Sequence, residues 1–108
     1  MGEIKVESGR IGARKKSGPE LRFRVTTPPE PKIGLALIHG YADHSARYAH
    51  VTEHFAERGI LTCAIDLRGH GESGGHRGFC EAFEEFLDDA DELVDLLGER
   101  AAELPRFL

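Results

Sequence analysis

Histidine, aspartate and serine residues follow two apolar segments of this chain and could take part in acid–base or nucleophilic chemistry. His39 and Gly40 come directly after the apolar segment 33–38. The second apolar segment, 60–65, leads into a group of polar and small residues: Asp66, Gly69, His70, Gly71 and Ser73. A buried strand that ends in His-Gly predicts a sharp turn at the carboxyl edge of a sheet, with backbone N–H groups directed outward. The sequence therefore predicts a candidate site at this edge.

Residues 71–75 match the Gly-x-Ser-x-Gly expression of a nucleophile elbow, with Ser73 in the place of the nucleophile. An elbow holds its serine on a sharp turn between the end of a strand and the start of a helix. Here the predicted strand ends near Asp66, and residues 74–78 separate Ser73 from the predicted helix. We therefore predict that Ser73 braces its own loop by hydrogen bonding.

Two further sequence motifs match the chain, but the chain does not provide the structural context that these motifs need. Residues 69–74 fit Gly-x-Gly-x-x-Gly, yet a dinucleotide site needs the last glycine at a helix start, and the predicted helix begins too late. His50 and His54 have the spacing of two zinc ligands on one helical face, but a catalytic zinc normally takes a third protein ligand. No third ligand is marked, so we expect neither a metal nor a cofactor.

The composition favours one small domain. The chain has 108 residues, 40% hydrophobic content and a net charge of −5, which argues against a nucleic-acid partner. Cys63 and Cys80 are read as free thiols of a reducing compartment rather than a disulfide framework. The amino terminus lacks the apolar core of a signal peptide, so a cytoplasmic location is expected.

Periodicity predicts alternating strands and helices, which is typical of a sheet covered by helices on its faces. Segments 33–38 and 60–66 are apolar on both sides, as parallel strands buried on both faces would be. The predicted strands are 3–7, 20–26, 33–38, 60–66 and a start at 106–108, and the predicted helices are 47–58 and 79–103. In the second helix an apolar stripe is expected to face the core: Phe79, Phe83, Phe86, Ala90, Leu93, Val94, Leu97, Ala101 and Leu104.

Three elements in order resemble the amino-terminal part of the α/β-hydrolase family, in its monoacylglycerol lipase, lysophospholipase and serine aminopeptidase-like branch. They are His39-Gly40, the segment 43–48, and Asp66-x-x-Gly69-His70-Gly71-x-Ser73. Ala46 departs from the glycine that is frequent in the family. The resemblance covers essentially all 108 residues and implies one α/β domain, incomplete, with a mostly parallel sheet and flanking helices.

The resemblance also implies residue roles. The backbone N–H of Tyr41 would belong to the oxyanion hole, and His39 and Gly40 would shape its turn. A structural role in the second loop is implied for Asp66, Gly69, His70, Gly71 and Ser73. The nucleophile, acid and base would all lie beyond Leu108, so the chain alone is expected to be inactive.

Three functions stay open at this point. The first is a serine hydrolase of carboxylic esters acting on a small acyl-ester or lipid substrate, with membrane contact undecided. The second is a non-catalytic remnant or assembly partner that binds a carboxyl-terminal portion through the open edge of strand 33–38, which would otherwise favour aggregation. The third is a nucleotide-binding unit, which depends on the glycine pattern alone.

Overall fold

A five-stranded sheet forms the centre of the molecule, which is described by a computed structural model over residues 2–12, 19–40, 43–78 and 82–108. The strands, in chain order, are β1 Lys5–Gly12, β2 Glu20–Thr27, β3 Ile33–Ile38, β4 Ile60–Ile65 and β5 Arg106–Phe107. The spatial order is β1-β2-β4-β3-β5. Parallel pairing joins β3 to β4 and to β5, whereas β1–β2 and β2–β4 are antiparallel. The α/β class is confirmed, and the sheet is mixed.

Two helices connect the parallel strands. A 3-10 turn at Ser45–Tyr48 leads into α1, Ala49–Ala56, and α2 spans Phe83–Arg100. Helix α1 and the Ala64 side of β4 border one small cavity, while α2 packs against β3 and the Cys63 side of β4, so the helices cover opposite faces. None of the helices in the described residues is long and apolar enough to cross a membrane.

The core lies between the sheet and α2. Leu93, Leu96 and Leu97 are buried there against side chains of the central strands, among them Phe23, Cys63 and Ile65. Gly34 of β3 allows this close approach, because a Cβ atom at this position would lie 2.7 Å from the Cβ of Ala101. The small side chains at this contact therefore determine how near α2 lies to the sheet.

The predicted helix 79–103 was too long and its core stripe too broad. The helix begins at Phe83, and Phe79 lies outside the described residues. Phe83, Leu87 and Val94 are 68%, 51% and 48% exposed, and they form a stripe along one side of α2. We call these three residues the α2 stripe. They are displaced from the buried face because a strict three- and four-residue pattern drifts around a helix of 3.6 residues per turn.

One edge of β3 is largely open. β5 pairs with β3 only at Gly34–Arg106 and Leu35–Phe107. In the described part of the chain, residues 36–38 therefore have a neighbouring strand only on the β4 side. This agrees with the expected open edge of strand 33–38.

Candidate functional site

Two loops meet at the carboxyl edge of the parallel strands. The first edge loop, residues 39–48, follows β3, and the second edge loop, residues 66–78, follows β4. They are adjacent because β3 and β4 are paired in register from Ile33–Ile60 to Ile38–Ile65. The sequence-predicted site residues are thus brought to one place by the strand pairing.

His39 joins the two loops through both ring nitrogens. Its Nε2 accepts a hydrogen bond from the backbone N–H of Leu67 at 2.9 Å, and its Nδ1 lies 2.7 Å from the carbonyl oxygen of Gly40. Because Nε2 accepts, the proton of the neutral ring is on Nδ1, which donates to Gly40. The ring is only 4% exposed. With both nitrogens engaged, His39 has no free nitrogen with which to act as a general base.

The carbonyl of Gly40 is held from two directions. Besides His39 Nδ1, it accepts the backbone N–H of Asp43 at 3.1 Å, which closes a four-residue turn. Tyr41, the predicted oxyanion donor, follows Gly40 in the sequence and lies outside the described residues. The structure therefore fixes the carbonyl that precedes the predicted donor.

Asp66 makes the reciprocal connection. Its carboxylate accepts the backbone N–H of Ser45, at 2.6 Å, and that of Glu72, at 3.0 Å. Burial raises the pKa of this carboxyl, but the hydrogen bonds from Ser45 and Glu72 outweigh burial, so the pKa is lowered overall. Segment 40–44 is thus pinned at both ends to the second edge loop, by His39 at one end and at Ser45 by Asp66.

Ser73 is buried inside the second edge loop. Its hydroxyl accepts the N–H of Arg22 at 2.8 Å and donates to the carbonyl oxygen of Asp66, and the residue is 3% exposed. β4 ends at Ile65 and α2 begins at Phe83, so Ser73 is not on a strand-to-helix turn. The geometry is that of a structural serine, and residues 75–82 separate the glycine pattern 69–74 from the first residue of α2 along the chain.

The glycines and His70 shape the rest of this loop. Gly69 and Gly71 have φ angles of 75° and 49°, in the left-handed region that glycine adopts readily. A Cβ atom on Gly71 would lie 2.5 Å from Oδ2 of Asp66. The imidazole ring centres of His70 and His39 lie 5.2 Å apart with the ring planes tilted by 45°, and Nδ1 of His70 lies 2.9 Å from the carbonyl oxygen of Arg68.

Sequence reasoning missed the buried ion pair between Arg68 and Asp89. The carboxylate of Asp89 accepts the backbone N–H of Arg68 at 2.9 Å and its Nη2 at 2.7 Å, while Arg68 Nη1 reaches Glu85 at 3.2 Å. Asp89 is fully buried. The available signal was a carboxylate on the core-facing side of an amphipathic helix, between Phe86 and Leu93. The pair holds α2 to the second edge loop.

His50 and His54, which match the spacing of two zinc ligands, lie on α1, and both are exposed. His54 Nδ1 is 3.3 Å from Nη1 of Arg58. The described residues contain no group of three His, Cys, Asp or Glu side chains that could hold a metal ion.

An apolar cavity of about 430 Å³ adjoins the site between the second edge loop and α2. It is lined by Ile38, Leu67, His70, Phe83, Phe86, Leu87 and Ala90. The α2 stripe contributes two of these residues, Phe83 and Leu87, so the cavity continues onto the exposed side of the helix.

Comparison with known proteins shows related sequences. A model of the serine aminopeptidase S33 family matches residues 29–108. Over 92 residues the chain is 39% identical to a monoacylglycerol lipase of Mycolicibacterium smegmatis, covering 84% of this chain and 33% of that protein. It is 33% identical to the human monoglyceride lipase over 78 residues, covering 72% and 26% respectively. The chain thus spans between a quarter and a third of the length of these curated relatives.

Solved structures show the same fold. A carboxyl esterase of Bacillus coagulans superposes with a TM-score of 0.79 at 23% identity, covering 97% of this chain and 36% of that chain. A lipase in its open form also superposes at 0.79 with 21% identity, covering 94% and 34%.

Proposed function

Because the chain belongs to the serine aminopeptidase S33 family of α/β-hydrolases, we propose that it forms the oxyanion-stabilising part of a serine hydrolase that cleaves monoacylglycerol-like esters. The substrate class is suggested by the names of its relatives, a monoacylglycerol lipase and a monoglyceride lipase. The observation that carries the proposal is the fixed carbonyl of Gly40.

The peptide bond after Gly40 determines where the next N–H points. In a planar trans peptide unit, the N–H of a residue is directed away from the carbonyl oxygen of the residue before it. That oxygen is held by His39 Nδ1 and by the N–H of Asp43. Attack on an ester develops negative charge on the substrate carbonyl oxygen, and a fixed N–H stabilises that charge without reorganisation. Removal of one such donor from a hydrolase costs roughly 10²- to 10³-fold in kcat.

The nucleophile and general base are assigned to neither Ser73 nor His39. The hydroxyl of Ser73 is engaged by two backbone groups, and both nitrogens of His39 are engaged as well. We propose that the nucleophile, acid and base come from polypeptide equivalent to the remaining two-thirds of the relatives.

The handedness of the fold predicts where that polypeptide packs. Connections between parallel strands are right-handed, and the crossover from β4 to β5 places α2 on one face of the sheet. A further parallel strand beside β5 continues in the same direction, so its crossover helix lies on the α2 face. The α2 stripe offers apolar surface to this crossover helix, and the open half of β3 offers unpaired backbone to a continuation of β5.

A chimera tests the catalytic proposal. This chain replaces the matching third of the mycobacterial monoacylglycerol lipase, and hydrolysis of a monoacylglycerol is measured. Tyr41→Pro removes the proposed N–H donor and is expected to lower kcat by about 100-fold or more. Tyr41→Phe keeps the N–H and is expected to leave kcat within a few-fold of the parent chimera. Ser73→Ala is also expected to leave kcat within a few-fold of the parent, when kcat is calculated per folded molecule.

Two results would contradict the proposal. The first is a folded chimera with no activity. The second is ester hydrolysis by the 108-residue chain itself that is abolished by Ser73→Ala, because this would make Ser73 the nucleophile.

The open β3 edge and the α2 stripe favour a second candidate, an assembly partner that binds the same carboxyl-terminal polypeptide in trans. The test mixes the chain with the separately produced carboxyl-terminal two-thirds of the mycobacterial lipase and measures complex formation by sedimentation. Leu87→Lys on the α2 stripe is expected to weaken the complex, whereas Glu99→Lys on the exposed opposite side of α2 is the matched control. Equal effects of the two substitutions would exclude the α2 stripe as the contact.

A further inference from the structure

A hydrogen bond within the first edge loop connects the turn to the start of α1. The hydroxyl of Tyr48 donates to Oδ2 of Asp43 at 2.6 Å, and Oδ1 of the same carboxylate accepts the N–H of His44 at 2.8 Å. Tyr48 is the last residue of the 3-10 turn and directly precedes α1. The side chain of Asp43 is thus anchored to a regular element rather than to another loop.

The electrostatics agree with a charge-assisted bond. The hydrogen bond from Tyr48 is the main cause that lowers the pKa of the Asp43 carboxyl, followed by the bond from His44 N–H. The same bond raises the pKa of the Tyr48 hydroxyl. At neutral pH the pair is therefore a hydroxyl donating to a carboxylate, which is among the stronger kinds of hydrogen bond.

Asp43 also holds the carbonyl that orients the proposed oxyanion donor. Its backbone N–H closes the turn on Gly40, and its side chain is fixed by Tyr48. One residue therefore links the start of α1 to the peptide bond between positions 40 and 41. His39 holds the same carbonyl from the side of the sheet.

We propose that Tyr48 is a positioning residue for the oxyanion hole, acting through Asp43 on the carbonyl of Gly40. This inference rests on the proposed function, because it concerns the same N–H donor. The hydroxyl of Tyr48 does not contact the reacting ester in this proposal. Its effect is to keep the turn in the one orientation in which the donor meets the developing oxyanion.

The matched pair of variants is Tyr48→Phe and Thr52→Val. Each substitution removes a single hydroxyl. The Thr52 hydroxyl donates to the carbonyl oxygen of Ala49 at 3.0 Å, a bond that lies within α1. In the 108-residue chain, amide hydrogen exchange of segment 40–44 is expected to accelerate in Tyr48→Phe and to stay unchanged in Thr52→Val. Unchanged exchange in Tyr48→Phe would overturn the tether itself.

The chimera gives the functional measurement. Tyr48→Phe is expected to lower kcat about tenfold with KM unchanged, because a misoriented N–H donor reduces kcat less than removal of the donor does. Thr52→Val keeps the parental kcat. An unchanged kcat, or an increase in KM alone, would overturn the positioning role. If the parent chimera is inactive, the proposed function fails, and the exchange data still decide whether Tyr48 orders the turn.

Discussion

Removal of the buried carboxylate of Asp89 is expected to open the second edge loop. Asp89→Ala deletes the acceptor of three Arg68 donors: the backbone N–H at 2.9 Å, Nε at 3.2 Å and Nη2 at 2.7 Å. Breaking a buried pair by removing one partner costs ~3–5 kcal/mol, because the remaining charge is left without compensation. Glu85 still reaches Arg68 at 3.2 Å, so we expect a cost near the lower limit, about 3 kcal/mol.

Hydrogen exchange of the native chain measures this cost directly. A change of about 3 kcal/mol corresponds to roughly a 100-fold increase in the opening equilibrium constant, since about 1.4 kcal/mol is one factor of ten. The amide of Arg68 and its neighbours in the second edge loop should show this increase, and the midpoint of urea unfolding should fall. Glu99→Ala, which removes an exposed carboxylate from the same helix, is the control and should change stability by less than about 0.5 kcal/mol.

The double variant Arg68→Met/Asp89→Leu separates charge from packing. Replacing both partners removes the uncompensated buried charge. The backbone N–H of residue 68 loses its acceptor and the half-buried Glu85 loses its bond from Arg68, but the double variant should still be more stable than Asp89→Ala. If Asp89→Ala were no more destabilising than Glu99→Ala, the argument that this pair is desolvated would be refuted.

Three further predictions concern glycine geometry and two titrating groups. Gly71→Ala should destabilise the fold by about 2 kcal/mol or more, because φ is positive and the Cβ would meet Asp66, as urea unfolding can measure. Gly98→Ala, where a Cβ meets nothing within 4 Å, should instead stabilise α2 by ~0.5–1 kcal/mol, and equal effects would contradict the steric argument. Burial raises the pKa of Cys63 to about 12, so stability should fall as pH rises from its ordinary value of 9.0 towards 12, and Cys63→Ala should remove that slope. Folding lowers the pKa of Asp66, so its carboxylate stabilises the fold at pH values above the ordinary pKa of 3.8, and this stabilisation is lost as pH falls through the lower folded-state pKa. In Asp66→Asn, the free energy of unfolding should therefore depend less on pH in this acid range.

The bounds of β3 and β4 were predicted accurately because both strands are continuous apolar segments. Strand β3 was predicted with its observed bounds, and β4 to within one residue, because strands buried on both faces carry a strong local signal. β1 was predicted too short, since its second half is a strand only by pairing with β2. Gly9 illustrates this, because its missing side chain makes room for the ring of Phe23, a contact that no local pattern shows.

The candidate site was predicted as a location but not as a set of contacts. The strand ends placed His39 and Asp66 at one edge of the sheet. Their hydrogen bonds to Leu67 and Ser45 depend on the β3–β4 register, which sequence alone does not provide. The Arg68–Asp89 pair was missed because its partners are 21 residues apart in the sequence, so no local pattern connects them.

The two bonds that pin the first edge loop also set the order in which the chain can acquire this geometry. His39 and Leu67 are 28 residues apart, and Ser45 and Asp66 are 21 apart, so each bond closes a long loop around α1. The entropy of that closure must be met by the β3–β4 pairing before either bond can form, which makes the turn a late product of folding. Closure entropy grows only by ~0.6 kcal/mol per doubling of loop length, so insertions between α1 and β4 should be tolerated over evolution. A one-residue shift in the β3–β4 register would instead separate His39 from Leu67 and Ser45 from Asp66 at once.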